Sequence, residues 1–198
     1  MPRLPPALYL LCLAVGVSHA PQEPTLENGD IVLQISASSQ SGAIGKAQGS
    51  DWTHVGLVEL AADGPYVVEA EATVVRTPWA RFRARGKGQE VLVLRATGVD
   101  PAHRAAAVAA ARRELGKPYD ALFGWGDDAF YCSELVVKAY QRGAGITLGR
   151  MVPLRELDLR QLGPALRTRF GPAPPLDQPV VTPASLVDDP ALAQAFRG

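Results

Sequence analysis

The apolar residues of this chain first gather in short runs that have the length and composition of β-strands. Four such runs, rich in Val, Ile, Leu and aromatic residues, lie at residues 30–35, 52–60, 66–74 and 90–95. Apolar runs of this length bounded by Gly, Pro, Asn and Asp indicate strands. The second and third runs are joined by a short turn that contains Asp63 and Gly64, which is typical of an antiparallel hairpin. The sequence therefore predicts an antiparallel sheet, entered by a turn at Asn28 and Gly29.

After the fourth run the pattern changes to that of a helix. Asp100 is a typical N-cap residue and Pro101 suits the first helical position. Residues 102–115 are rich in alanine, and Gly116 ends the segment. We therefore predict a helix over this segment.

A second helix is predicted to begin at Cys132. A Gly- and aromatic-rich loop over residues 119–128 leads into it, and its apolar residues recur at helical spacing, at Leu135, Val136, Ala139 and Tyr140. We expect it to end near the glycines at 143 and 145. Strands followed by helices indicate an α+β domain.

Other stretches lack clear periodicity. Residues 36–51, rich in Ser, Gly and Gln, are predicted to be a long loop, and loops of that length often line a functional site. Residues 77–79 break the third strand run, and residues 80–88 are basic and contain Gly. We interpret residues 80–88 as a solvated connector rather than as a surface for an anionic substrate. Residues 153–166 carry a weak helical or turn-like pattern.

The first twenty residues have the features of a secretory signal peptide. Arg3 gives a weakly positive start, residues 7–17 are apolar, and Ser18, His19 and Ala20 form a small-x-small cleavage site. We therefore expect an exported protein, located in the periplasm or cell envelope. Leu11 is too bulky for Cys12 to be a lipid-attachment site. The predicted organisation is a signal peptide at 1–20, a linker at 21–28, a catalytic domain at 29–170 and a Pro-rich segment at 171–198 that packs on the domain.

Composition excludes several kinds of function. The 198 residues are 47% hydrophobic, which suits one globular domain, and twenty basic residues balance twenty acidic ones. A nucleic-acid-binding protein would need a clustered basic excess. No Gly-rich phosphate loop is present, and the few Cys and His residues do not form a cluster with metal-ligand spacing. We therefore expect no cofactor and no metal.

The predicted cleavage leaves one cysteine, Cys132, and two histidines, His54 and His103. A thiol at a helix N-terminus ionises readily because unpaired N–H groups and the helix dipole stabilise the thiolate. His103 falls in the first turn of the Ala-rich helix, where we expect it to be on the surface. His54, at the start of a strand, is therefore the candidate base for a Cys132 nucleophile. The alternative is that Cys132 is a buried structural residue.

Two carboxylates are candidates to orient the imidazole. Glu69 and Glu71 lie two residues apart in the strand that follows His54. Their side chains therefore point to one face, and the register of the hairpin decides whether His54 shares that face. The residues alone leave the choice between Glu69 and Glu71 open.

Five short motifs in this order resemble the YiiX/YebB-like cysteine hydrolases, a circularly permuted branch of the NlpC/P60 papain-like amidases. They are Gly-Asp-Ile-Val at 29–32, Thr-His-Val-Gly at 53–56, Val-Glu-Ala at 68–70 with Thr77 and Pro78, Gly-Lys-Pro-Tyr-Asp at 116–120, and Tyr-Cys-Ser-Glu-Leu-Val at 131–136. The resemblance covers roughly residues 29–139, and residues 182–186 are a further candidate. It implies a permuted papain-like fold in which the histidine precedes the cysteine, with Cys132 as nucleophile, His54 as base and Glu69 as orienting residue.

The reaction implied is acyl transfer to water through a thioester. For an exported chain the expected substrate is a peptide amide of cell-wall peptidoglycan. The alternatives are a lipid acyl ester or amide hydrolase or acyltransferase on the same fold, and a non-catalytic binding module. The backbone N–H of Cys132 is the expected oxyanion donor, with Tyr119 and Tyr131 as further candidates. Two tryptophans near the motifs are candidates either for a substrate groove or for structural roles, namely Trp52 and Trp125.

Overall fold

The computed structural model describes residues 23–38 and 41–198. The predicted signal peptide at residues 1–20, with Cys12, lies outside the described residues. Across the two described ranges, no helix has both the length and the apolar character required to span a membrane.

A six-stranded sheet forms the centre of the domain. Its strand order is β4-β3-β2-β1-β5-β8, and every neighbouring pair is antiparallel. The strands are β1 (Ile31–Ser36), β2 (His54–Ala61), β3 (Gly64–Ala70), β4 (Val74–Pro78), β5 (Gly86–Ala96) and β8 (Leu192–Arg197). A separate pair consists of β6 (Val152–Pro153) and β7 (Pro179–Val180).

Helices cover both faces of this sheet. They are α1 (Ser41–Gln48), α2 (Trp79–Arg85), α3 (Pro101–Arg112), α4 (Cys132–Ala144), α5 (Leu159–Phe170) and α6 (Pro183–Val187). A short 3-10 turn, Leu154–Glu156, precedes α5. The predicted α+β fold, with an antiparallel sheet packed against helices, is confirmed.

Alternation along the strands divides the core into two parts. Strand residues such as Leu33, Val55 and Leu57 face α3 and α4 in the larger cluster. The intervening positions, such as Val32 and Val58, form a smaller cluster on the other face, beneath α2. Because successive strand side chains point to opposite faces, a sheet covered on both sides needs apolar residues at nearly every position. This explains the continuous apolar runs in the sequence.

Small side chains let α3 and α4 approach closely. A Cβ atom built on Gly143 of α4 would lie 2.4 Å from backbone atoms of Ala106 and Ala107 in α3. A real Cβ atom does not approach so near, so this position requires glycine. The alanine-rich sequence of α3 therefore serves close helix packing, and α4 is held firmly against the sheet.

Three local predictions were wrong. Residues 41–48 of the predicted loop form α1, which buries Ser41, Gly45 and Ala47. These residues are too small to give a clear apolar period, yet a Cβ on Gly45 would lie 2.8 Å from the backbone oxygen of Ser50, so the helix packs tightly. The predicted strand at 66–74 is divided, because β3 ends at Ala70 and the chain turns into β4.

The third error concerns the basic connector at 80–88. Its first part belongs to α2, and its last part begins β5. Trp79 and Phe82, three residues apart, bury the inner side of α2 against the sheet. The alternating arginines at positions 81, 83 and 85 obscured this apolar pair.

The C-terminal segment returns to the domain. Val181 and Leu186 are buried in the larger core cluster, and β8 adds an edge strand to β5. The sequence pattern did not indicate β8, because five of its six residues are exposed or only half buried on a sheet edge. This segment reaches the beginning of α4, where Val181 bonds to Tyr131 and Ser133.

Candidate active site

Four elements meet at one end of the sheet. Strand β2 begins there with His54, β3 ends there just after Glu69, α2 ends there with Arg85, and α4 begins there with Cys132. His54 and Cys132 are 78 positions apart in the sequence, but both lie at this end because β2 and α4 each begin there.

Cys132 is the first residue of α4 and has a free, buried thiol. Tyr131 before it has extended backbone angles, and its N–H donates to the Glu134 Oε2 atom at 3.3 Å. The first N–H groups of a helix have no intrahelical acceptor and point along the axis at whatever lies before the helix. The thiol therefore sits where these donors and the helix dipole favour negative charge.

The C-terminal segment fixes this end of α4. The Ser133 hydroxyl donates to the Val181 carbonyl oxygen at 2.8 Å, and the Val181 N–H donates to the Tyr131 hydroxyl oxygen at 3.1 Å. Residues on both sides of Cys132 are thus bonded to a single residue about fifty positions later. The position of the thiol depends on this clamp as well as on α4 itself.

His54 and Glu69 are neighbours on one face of the sheet. The hairpin register places Glu69 opposite Gly56, so Glu69 shares a face with His54, two residues before Gly56. The His54 Nε2 and Glu69 Oε2 atoms are 2.6 Å apart, and Glu69 is fully buried. A Cβ on Gly56 would lie 3.1 Å from the Glu69 Cβ and 2.4 Å from a Val67 methyl carbon, so glycine at 56 leaves room for this contact.

The imidazole of His54 also bonds with the thiol. Burial by itself would lower the pKa of His54, but hydrogen bonds with Cys132 and Glu69, together with their negative charges, outweigh it and raise the pKa to about 9. Since Nε2 faces Glu69, Nδ1 is left for the thiol. The geometry is that of an imidazole held between the cysteine sulfur and a carboxylate.

Glu69 remains ionised although it is buried. Burial pushes its pKa up, but the hydrogen bond and the charge of His54, the charge of Arg85 and a hydrogen bond from Thr77 together hold the pKa below its usual value. Thr77 lies on β4, the strand that pairs with β3. A buried carboxylate with these partners is a stable negative charge beside the imidazole.

Glu71, the other candidate from the sequence, lies outside this pair. It follows the end of β3, and its side chain is 47% exposed. Its Oε1 atom lies 3.2 Å from Arg85 Nη1, while Nη2 of the same guanidinium bonds to the Glu69 Oε2 atom. Of the two carboxylates, Glu69 is the one that bonds to His54, and Glu71 pairs with Arg85.

The two tyrosines proposed as oxyanion donors are placed differently. The Tyr131 hydroxyl accepts the Val181 N–H, and its ring contacts Phe123 edge-on. The backbone of Tyr119 forms a bridge with Phe130 in the loop before α4. Tyr131 therefore has a structural role at the helix start, whereas the backbone N–H of Cys132 is adjacent to the thiol.

Three other residues singled out in the sequence have charged partners of their own. His103 is exposed and bonds to Asp100 at 2.8 Å across the first turn of α3. Trp52 is buried in the core beside the guanidinium of Arg197. Trp125 lies against the ammonium group of Lys138.

Lys138 was not singled out in the sequence, although it secures the loop that precedes Cys132. Its side chain is buried, and its ammonium group donates to the carbonyl oxygens of Trp125 and Gly126. It also forms ion pairs with Asp127 at 3.0 Å and Glu134 at 2.8 Å. Burial raises the pKa of Glu134 to about 7 despite the opposing effect of Lys138.

A groove of about 770 Å³ opens beside His54, between α1 and the beginning of β5. Thr53, the residue before His54, forms part of its wall. Its lining includes charged side chains of both signs, namely Lys46, Asp51, Lys87 and Glu90. Neither His54 nor Cys132 is among its lining residues, so the groove lies next to the site rather than within it.

Sequence reasoning missed Arg85 and Thr77 as members of this site. Arg85 lay in a basic run that resembles a solvated surface, and only the spacing of Trp79 and Phe82 could have indicated a helix ending at the sheet. Thr77 is part of one of the five motifs and marks the predicted end of the third strand run. The sequence around each residue does not show that it lies near Glu69, because that contact depends on the order of the strands in the sheet.

Comparison with known proteins finds similarity over most of the chain. Residues 25–195 match the model of a family described as permuted papain-like amidase enzymes, the YaeF/YiiX or C92 family. YiiX of Escherichia coli K12, described as an uncharacterised protein, is 39% identical over 195 residues, which are 96% of this chain and 95% of YiiX.

A solved structure is also similar. The crystal structure of YiiX from Escherichia coli O157:H7, which its description calls a metalloprotein, has a TM-score of 0.83 and 38% identity. The match covers 87% of this chain and 97% of that one. The similarity therefore extends over the whole fold and is not confined to the motifs.

Proposed function

The chain belongs to the permuted papain-like amidase family of YaeF and YiiX, and we propose that it is a cysteine amide hydrolase with Cys132 as nucleophile, His54 as base and Glu69 as orienting residue. The observation that carries this proposal is the buried cluster in which His54 bonds to both Cys132 and Glu69. A thiol, an imidazole and an orienting carboxylate are the parts that nucleophilic acyl transfer requires.

The first half of the reaction forms a thioester. The Cys132 thiolate attacks the carbonyl carbon of the amide, and the backbone N–H of Cys132 is placed to donate to the oxyanion. The carbon–nitrogen bond breaks as the His54 imidazolium gives its proton to the leaving amine. The acyl group is then bonded to sulfur, and His54 is neutral.

The second half consumes water. Neutral His54 removes a proton from a water molecule, whose oxygen attacks the thioester carbonyl. The carbon–sulfur bond breaks, a carboxylic acid leaves, and the thiolate is paired with the imidazolium again. Throughout both steps Glu69 holds the imidazole in one orientation and tautomer and stabilises its positive charge.

A metal ion does not fit this site. His54, Glu69 and Glu71 offer a nitrogen and carboxylate oxygens within 4.8 Å of one another, which is a typical set of metal ligands. The guanidinium of Arg85 already bonds to both carboxylates. A divalent ion would have to displace this fixed positive charge, so the metalloprotein description of the similar E. coli structure is not carried over to this chain.

For the substrate we propose a peptide amide of cell-wall peptidoglycan. The pattern of residues 1–20 supports export to the compartment where that substrate lies, and the charged lining of the groove beside His54 suits a peptide with ionised groups of both signs. Cell fractionation in a bacterial host, with mass spectrometry of the mature N-terminus, checks the location. A chain that keeps residue 1 and stays in the cytoplasm would contradict it.

The experiment for the reaction compares the purified protein with a Cys132→Ala variant on peptidoglycan fragments and on a panel of acyl esters and lipid amides. We expect new amine and carboxyl termini in the fragments, detected by chromatography and mass spectrometry, with the intact protein only. Cleavage of lipid substrates alone would overturn the cell-wall assignment.

A separate measurement distinguishes an enzyme from a binding module. The rate of iodoacetamide alkylation of Cys132 is compared between the unmodified protein and His54→Ala, with His103→Ala as the matched control. A reactive thiol that slows only when His54 is lost supports the proposal. A slow alkylation rate that is the same in the unmodified protein and in His54→Ala would contradict it.

A further inference from the structure

One carboxylate in the site has two cationic neighbours. The His54 Nε2 atom and the Arg85 Nη2 atom converge on the same oxygen of Glu69, Oε2, and lie 3.3 Å from each other. The imidazole of His54 is shared with Cys132, so Arg85 is the cationic partner of Glu69 that does not also bond to the thiol.

Arg85 is held in this place by the end of α2. Its guanidinium lies 5.1 Å from the centre of the Phe82 ring, which in turn lies 6.1 Å from the His54 ring. Gly86, which follows it, packs closely on the sheet, since a Cβ atom there would lie 2.6 Å from the side-chain oxygen of buried Gln34, which would have to shift. Gln34 is the cross-strand partner of His54.

Arg85 also occupies the space between the two carboxylates at this end of the sheet. Its Nη2 atom bonds to Glu69, and its Nη1 atom lies 3.2 Å from Glu71. A planar guanidinium presents several donors in a fixed fork, so it can hold two carboxylates at once in one orientation. A solvated surface arginine would not have such a set of partners.

We propose that Arg85 is a positioning residue of the active site. Its cationic side chain fixes the ionised Glu69 carboxylate towards His54. It also occupies the position between Glu69 and Glu71 where a divalent metal ion would otherwise bind. The proposal rests on the proposed function, since it assigns a role in the same site. It goes beyond the triad because Arg85 acts through Glu69 and does not itself touch the thiol.

The arrangement has a measurable electrostatic consequence. The charged and titratable groups around His54 are Cys132 from α4, Glu69 from β3 and Arg85 from α2, with Glu71 behind Arg85. The guanidinium favours ionised Glu69 but repels the imidazolium beside it. Glutamine at position 85 keeps an amide donor for Glu69 but removes this charge, so the imidazolium becomes more stable, whereas replacing a residue that only shapes the fold would leave the titration of His54 unchanged.

The experiment is an NMR titration of the histidine side chains in the protein from residue 21 onwards, which contains only His54 and His103. The variants are Arg85→Gln, Arg85→Lys and, as matched control on the same helix, Arg81→Gln. We expect the midpoint of His54 to rise by roughly one pH unit in Arg85→Gln, the size that a neighbouring charge typically produces. It should stay unchanged in Arg81→Gln and nearly unchanged in Arg85→Lys.

The dispersion of the amide and methyl resonances of the same samples reports whether each variant is folded. An Arg85→Gln midpoint equal to that of Arg81→Gln would overturn the proposal. So would stoichiometric Zn²⁺ binding by the unmodified protein that requires Glu71, measured by calorimetry against Glu71→Gln. Arg85→Gln should gain that binding if Arg85 fills the metal position.

These readouts need no substrate. If the unmodified protein hydrolyses no amide, the proposed function fails while the His54 titration still decides the role of Arg85. Where hydrolysis is observed, we expect kcat to fall about tenfold in Arg85→Gln and to be largely recovered in Arg85→Lys.

Discussion

The replacement of Glu69 by glutamine tests the central pair of the site with little change in shape. Glutamine keeps an oxygen or a nitrogen 2.6 Å from His54 but removes the negative charge that stabilises the imidazolium. It also leaves Arg85 beside His54 without its buried counter-charge. Both effects favour neutral imidazole, so the ion pair with Cys132 weakens.

The expected change in the pKa of His54 follows from its hydrogen bond with residue 69, whose acceptor is charged in glutamate and neutral in glutamine. A hydrogen bond to a charged group contributes about 1.5–3 kcal/mol and a neutral one about 0.5–1.5 kcal/mol, so the imidazolium loses about 1–2 kcal/mol. At about 1.4 kcal/mol per pH unit, the pKa of His54 should fall by about one unit. Since it lies at about 9 in the intact site, we expect it near 8 in the variant, within about a unit.

The assay is the pH profile of amide hydrolysis. We predict that the pH above which hydrolysis falls moves down by about one unit in Glu69→Gln, from about 9 to about 8, because His54 loses its proton at a lower pH. The matched control is Glu71→Gln, the same change two residues away on a half-exposed side chain, where we expect little shift, as for most exposed ion pairs. Equal profiles in the two variants would refute the reasoning.

Two further predictions concern pH and packing. His54 must be protonated to deliver a proton to the leaving amine, and its pKa is raised to about 9, so kcat/KM of the unmodified protein should stay high below pH 9 and fall as pH rises through it. A fall centred near pH 6.5 would instead show that the imidazole is not held by Cys132 and Glu69. In Gly143→Ala the new Cβ would meet the α3 backbone at 2.4 Å, and overpacking of this kind lowers the free energy of unfolding by about 1–3 kcal/mol. Thermal unfolding should show this loss, while Gly42→Ala, whose Cβ meets nothing within 4 Å in α1, should be neutral or stabilising; equal melting temperatures would contradict the packing argument.

The larger elements of the fold could be predicted because each has a strong local cause. The hairpin of β2 and β3 follows from apolar runs around an Asp-Gly turn, and α3 follows from its Asp100 cap, Pro101 and Gly116 stop. Cys132 could be placed at a helix start because the apolar period begins directly after it. These features depend on residues within one element, so neighbouring sequence is enough.

The short helices could not be predicted in the same way. In α1 the buried residues are Ser, Gly and Ala, whose burial leaves no apolar period, and α2 buries only Trp79 and Phe82 among basic residues. Their stability comes from packing against partners distant in the chain. The same is true of β8, an edge strand that forms by pairing with β5.

The sequence by itself determined the chemical inventory of this protein: one thiol at a helix start, one strand histidine and two nearby carboxylates. Which carboxylate serves the histidine was decided by the register of β2 and β3, since a shift of one residue would turn Glu69 to the opposite face. The approach of Arg85 was decided by α2 crossing to that end of the sheet, beside Gly86 and Gln34. Charge and hydrogen bonding act over a few ångströms in space, and only the tertiary structure sets which residues lie within that distance.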